Sequence, residues 1–161
     1  MSLECDAWGF TDSVGVLTTD TAANMYKMDY LPYHFLHGDC INHVLQLVIK
    51  DELLEKPSIQ NIVKTCRHIC TFTNQSILFA QAIVKKQIEE GKEKKDCLYL
   101  VQDVVTRWNS TFLMLQRFLK LQSVIRALLL DQEWKKKLDV TISNAEWSRM
   151  EKVVKVLGSL P

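Results

Sequence analysis

Three short stretches carry side chains able to do chemistry. The first is Thr18-Thr19-Asp20-Thr21-Ala22-Ala23-Asn24-Met25, the second Cys40-Ile41-Asn42-His43-Val44-Leu45-Gln46-Leu47-Val48, and the third Asp103-Val104-Val105-Thr106-Arg107-Trp108-Asn109-Ser110-Thr111. A carboxylate such as Asp20 is a hard oxygen ligand of the kind Mg²⁺ takes. Cys40 and His43 have zinc-like spacing, and Cys66 with Cys70 offers a second pair on one helical face. The Trp108 indole presents a flat aromatic face able to stack on another planar ring. The Arg107 fork beside it suits paired, charge-assisted hydrogen bonds to an anion. Taken singly, each residue also has a plain structural reading. Asp20 is then a helix cap after a strand, His43 a satisfied core histidine and Cys40 a small packing residue. Arg107 is then a salt-bridge partner of Asp103, with Trp108 packed at a helix entrance.

These stretches need elements to position them. The chain has 161 residues, 47% hydrophobic and 24% charged, with a formal net charge of +1. That is the composition of one globular domain, long enough to bury an apolar core without staples. So balanced a charge excludes a polycationic tail, and a nucleic-acid role must come from a local site. The five cysteines are odd in number and widely spaced, with no apolar signal segment ahead of them. Reduced thiols in a cytosolic or nuclear compartment are expected. No apolar run approaches the roughly 18 residues that would span a membrane.

Five glycines and three prolines leave few turn signals, which predicts long helices. The exception is near the front. Ser13–Thr19 reads as a β-branched strand with Asp20 at its C-terminal end, the end where ligands collect in sheets with helical crossovers. Thr21–Met28 reads as a short helix, Tyr33–His37 as a second strand, and Cys40–Leu54 as a helix with Val44, Leu47 and Val48 on one face. From Pro57 the period is 3.6 throughout. Ile59, Ile62, Val63, Cys66, Ile69 and Cys70 form one stripe, behind an entrance marked by Pro57 and a capping Ser58. On that stripe both cysteines read as small hydrophobes rather than zinc ligands, and His68 lies off it in solvent. Ile77, Ala80, Val84 and Ile88 form a second stripe, and Gly91–Asp96 reads as a mobile charged loop dispensable to the core. Met114, Phe118, Leu121, Ile125 and Leu128 form a third. Ser143 and Glu146 read as the capping box of a last helix, whose face is Trp147, Met150, Val154 and Leu157 and whose stop is Gly158. The lysine runs are interleaved with Asp and Glu and read as solvated faces.

In order and spacing, the three chemical stretches resemble the hAT superfamily of DNA transposases and the BED-finger proteins derived from them. The likeness covers the T-D-x-A-x-N-M block, the C-x-x-H block with its following L-x-L-V, and the D-V-x-T-R-W-N-S-T block. It departs at Thr21, Asn42, Gln46 and Val105, where Asn, Ala, Asn and Pro are common in the family. The resemblance implies an α-rich α/β chain. Residues 1–45 would be part of a ribonuclease-H-like core, with one or two strands and helices, and 46–161 the N-terminal part of an all-helical insertion domain.

The resemblance also implies roles. Asp20 becomes the second acidic residue of an Asp-Asp-Glu triad and a Mg²⁺ ligand, its partners expected upstream of residue 1 and beyond Pro161. His43 lies beside the active site at the scissile phosphate. Trp108 stacks on a base flipped out next to the cleavage site, with Arg107 on a neighbouring phosphate. Phosphodiester exchange by this chemistry takes two ions held by three carboxylates, so the chain alone is expected not to cleave DNA. The implied function is that of a domesticated, nuclear protein keeping the scaffold for DNA binding, dimerisation or transcriptional control. The alternative is part of the catalytic core of an active cut-and-paste transposase. DNA and a second copy of the chain are the expected partners, no membrane is, and Mg²⁺ is the expected cofactor where the triad is complete.

Overall fold

In the computed structural model, which describes Ala7, Gly9 and residues 16–20 and 36–160, the chain divides into two compact units, Met1–Ile49 and Lys50–Pro161. The expected helix at Thr21–Met28 lies outside the described residues, as do the first residues of both expected strands. In the first unit, β1 (Val16–Thr19) and β2 (Leu36–Asp39) pair in parallel, with Val16 opposite Leu36 and Thr19 opposite Asp39. The second strand thus runs two residues further than its sequence pattern predicts. The Cys40 N–H donates to the Thr19 carbonyl at 2.7 Å and closes the pair at its C-terminal edge. Helix α1 (Ile41–Ile49) leaves from there.

The second unit opens with a π turn at Lys50–Leu54, closed by the Glu55 N–H on the Lys50 carbonyl. The single helix expected through Leu54 is therefore an α-helix followed by a wider turn. Pro57 accounts for the stop, because the residue before a proline is pushed out of the helical region, and Lys56 is extended at φ −60°, ψ 127°. Helix α2 (Pro57–Gln75) then begins with Pro57 in its first turn and no side-chain cap, so Ser58 is not the cap that the sequence suggests. Ser58 lies one residue inside the helix, past the capping position.

Helix α2 is the centre of this unit, and α3 (Ile77–Glu89), α4 (Trp108–Lys120) and α7 (Asn144–Leu157) all pack on it. Its predicted stripe is buried from Ile59 to Cys70, and His68 is exposed as expected. The stripe of α4 continues into α5 (Gln122–Leu130), and Met114, Phe118, Leu121, Ile125 and Leu128 are all buried. The two helices are separate because the backbone swings out at Leu121 (φ −107°, ψ 16°). A short α6 (Gln132–Leu138) brings Trp134 edge-on to Phe79, with ring centroids 5.1 Å apart.

The structure corrects the reading of α3. Its core face is Phe79, Ile83 and Gln87, whereas Ile77 and Ile88 of the predicted stripe are exposed. Two apolar stripes lie side by side on this helix, and the one with the bulky Phe79 and Ile83 faces the core. The charged loop also differs from expectation. Lys92 N–H donates to the Gln87 carbonyl, a 3₁₀ turn forms at Lys94–Asp96, and buried Cys97 anchors its far end.

Helix α7 has the capping box that Ser143 and Glu146 predict, with both reciprocal bonds formed, and these bonds hold the Glu146 carboxyl below the usual range. Trp147, Met150 and Leu157 are buried, with Val153 rather than Val154 as the fourth core residue. Gly158 ends the helix at an ordinary φ of −73°, so it is not needed for a left-handed turn. A Cβ there would meet the Val154 carbonyl at 3.1 Å and the Phe112 ring at 3.5 Å, so glycine serves close packing. No helix among the described residues is long and apolar enough to cross a membrane. Ser143→Ala is expected to destabilise the protein by about 1 kcal/mol, read from urea unfolding, because the first turn of α7 loses its cap.

Candidate functional site

The first unit places two of the candidate residues at one edge of its sheet. Asp20 follows Thr19 at the C-terminal end of β1 and is exposed. His43 is half-buried in the first turn of α1, its N–H on the Cys40 carbonyl at 2.9 Å, directly after β2 leaves the same edge. Among the described residues, no three His, Cys, Asp or Glu side chains converge as a metal site.

The second unit builds a different feature. Between Cys97 and Val104 the chain has no regular secondary structure, a turn follows at Val105–Thr106, and side chains of the helices hold the segment. Gln87 is completely buried, and its side-chain amide acts as a surrogate strand. Its Oε1 accepts from Leu98 N–H and its Nε2 donates to the Leu98 carbonyl, both at 2.8 Å. Arg117 Nη1 donates to the Tyr99 carbonyl at 2.8 Å, and the Cys70 thiol donates to that of Val101 at 3.5 Å. The strongest anchor follows. The Asp103 side chain is fully buried and receives Arg67 Nη2 at 2.7 Å, Arg67 Nε at 2.9 Å and Thr111 Oγ1 at 2.8 Å. Arg107 is thus not the partner of Asp103, which is the plain structural reading of that pair; Arg67 takes the position.

The remaining turn is closed by Ser110. Its Oγ accepts from Val104 N–H at 2.9 Å and donates to the Arg107 carbonyl at 2.7 Å. Arg107 is consequently fixed as the N-cap residue of α4 in extended conformation, and Trp108 is the first residue of the helix. The Arg107 side chain is exposed and Trp108 half-buried. The structure brings these two candidates together at the head of one helix.

Burial alone would raise the Asp103 carboxyl. The hydrogen bonds from Arg67 and Thr111 and the Arg67 charge outweigh it, and the group is held below its ordinary value. Burial has the opposite outcome at the thiols. It pushes Cys66 far up and Cys70 up to about 12, with the Asp103 charge adding to both. Both lie on the buried stripe of α2 as small packing residues.

Arg67, Gln87, Ser110 and Thr111 are the site residues that sequence reasoning missed. Ser110 and Thr111 belong to the third stretch, and their short hydroxyls at a helix entrance were the available signal. Arg67 is separated from Asp103 by 36 positions, and no local spacing links them.

Comparison with known proteins bears on this arrangement. Residues 38–156 match the ZBED1 RNase-like helical domain, from the end of β2 almost to the end of α7. The chain belongs to that family. The match agrees with the resemblance of the three blocks to BED-type proteins derived from hAT transposases. It is 23% identical over 159 residues to human zinc finger BED domain-containing protein 4, covering 96% of this chain and 13% of that protein. It is 28% identical over 146 residues to a putative transcriptional regulator, tpeD, of Talaromyces stipitatus, covering 75% of this chain and 16% of the relative. Human zinc finger BED domain-containing protein 6 is 33% identical over 86 residues, 53% of this chain and 8% of its own length. The chain thus spans a small part of each relative. No solved structure matches. The ZBED1-type match includes His43, Arg107 and Trp108 but begins after Asp20.

Asp103→Asn leaves Arg67 without its counter-charge and is expected to cost about 3 kcal/mol, towards the lower end for a buried pair because the Arg67 side chain is 28% exposed. The pH dependence has a definite sign. Well above the ordinary value of 3.8, Asp103 is charged in folded and unfolded chains alike and its contribution is complete. As pH falls below that value the unfolded chain takes up a proton that the folded one resists, so stability is lost. Urea unfolding of wild type and Asp103→Asn should therefore show a stability gap that narrows between about pH 5 and about pH 3.

Proposed function

We propose that the chain is a DNA-contacting scaffold of a transposase-derived regulatory protein that works in the nucleus. The head of α4 carries this reading. A segment pinned at several points delivers Arg107 and Trp108 side by side, at a helix N-terminus whose partial positive charge adds attraction for phosphate. In this reading Trp108 stacks on an unpaired or flipped-out base and Arg107 holds a neighbouring phosphate. A near-neutral chain cannot bind DNA by bulk charge, which concentrates the role in such a local site. Similarity to BED zinc finger proteins and to a putative transcriptional regulator supports the regulatory assignment.

Self-association belongs to the same proposal. Helix α1 presents Ile41, Val44 and Val48 on an exposed apolar face, and a net charge of +1 gives two copies little mutual repulsion. A second reading, part of an active cut-and-paste core, draws on Asp20 at the C-terminal end of a parallel strand, where it would be one Mg²⁺ ligand. That reading predicts Mg²⁺-dependent nicking by a longer protein that supplies the other two carboxylates, whereas the scaffold reading predicts intact DNA with that protein too.

Trp108→Ala is expected to weaken binding to a duplex carrying one unpaired base by about five- to a hundredfold, with much less effect on a fully paired duplex. Fluorescence anisotropy measures both, and equal weakening of the two would reject base stacking. Sedimentation equilibrium of the wild-type chain should give a mass above that of one chain, and Ile41→Glu should lower it. A strictly monomeric wild type would remove self-association.

A further inference from the structure

The stripe of α3 that the core does not use forms the floor of a trough of about 720 Å³, and Tyr99 of the pinned segment forms one wall. Ile77, Ala80, Val84 and Ile88 line it over twelve positions, roughly 16 Å from first to last at the helical rise. We propose that this trough docks an acidic amphipathic helix from a protein partner.

The shape argues for a helix. Ile77 is 75% and Tyr99 58% exposed, so the trough is open and long, unlike the enclosing pockets that bury most of a small molecule. The segment's acceptors are largely taken, which disfavours pairing with an added β-strand. Both polar groups of Leu98 are taken by Gln87, and the carbonyls of Tyr99 and Val101 are taken by Arg117 and Cys70. The trough therefore offers side-chain contacts along a straight line, which a helix meets with anchors on one face.

The charge at its rim argues for acidity. Glu89 is neutralised by Lys86 at 2.7 Å. Lys85 and Lys94 line the same trough; the Lys85 charge adds to that of Lys86 at Glu89, which leaves the rim cationic. An apolar floor is a poor surface for a nucleic-acid backbone, whereas acidic residues flanking an apolar stripe meet both the floor and the lysines. The proposal is independent of DNA contact at Trp108, which lies outside the lining of the trough.

The test uses a fluorescein-labelled synthetic peptide of about 16 residues with Leu at i, i+4, i+7 and i+11 and Glu on its flanks, followed by anisotropy. Saturable binding is expected, and Val84→Glu should weaken it at least about tenfold by placing a charge on the apolar floor. Lys85→Glu combined with Lys94→Glu should weaken it severalfold, and a peptide with Lys in place of Glu should bind worse than the acidic one. Ala80→Gln, at a half-buried site, serves as a second block if Val84→Glu disturbs folding, and circular dichroism checks each variant. Absence of binding, equal binding of acidic and basic peptides, or indifference to both floor substitutions would overturn the proposal. So would a dimer dissociated by Val84→Glu that the acidic peptide cannot compete apart, since the trough would then belong to a second copy.

Discussion

The fixed point of the helical unit is a carboxylate with no access to water. Burying an ionised Asp103 costs several kcal/mol, and only close, well-directed partners offset that. Arg67 supplies a fork from α2, and Thr111 a hydroxyl from α4. An apolar side chain could fill the same space, but it would leave the direction of the chain undetermined. The ion pair fixes it, since the guanidinium donates to both carboxylate oxygens in one plane. The segment that crosses between the two helices is thereby set, and so is the point at which α4 begins.

The third sequence stretch consequently divides into two kinds of residue. Asp103, Ser110 and Thr111 turn inward and build the entrance to α4, whereas Arg107 is left in solvent and Trp108 partly so. A compact run of nine residues contains both the scaffold and what the scaffold presents. The Gln87 amide extends this arrangement at the other end of the segment, replacing a missing neighbouring strand with one side chain.

Much of the helical fold was legible because burial leaves a 3.6-residue period in the sequence. The faces of α2, α4, α5 and α7 follow from it, and so does the cap at Ser143. The period fails at α3, where two apolar stripes are adjacent and only tertiary packing against Phe72 and Trp134 selects Phe79 for the interior. It also hides the break at Leu121, because the stripe runs through it unchanged. Gly158 ends α7 as its position in the sequence indicates, but its close contact with Phe112 is something sequence spacing does not reveal. The strand end at Asp20 was readable from β-branching. The pairing of Arg67 with Asp103 was not, because it is made across elements far apart in the chain.

The central claim is that the Asp103 cluster acts on DNA only through the side chains it presents, and a double-mutant cycle tests it most directly. Thr111→Val removes one hydrogen bond to Asp103 while keeping the shape of the side chain. Affinity for DNA with an unpaired base would be measured for this variant, for Trp108→Ala and for the pair together. If the cluster works through Trp108, Thr111→Val weakens binding on its own and adds nothing once Trp108 is gone. Fully additive losses, or wild-type affinity in a folded Thr111→Val protein, would contradict it.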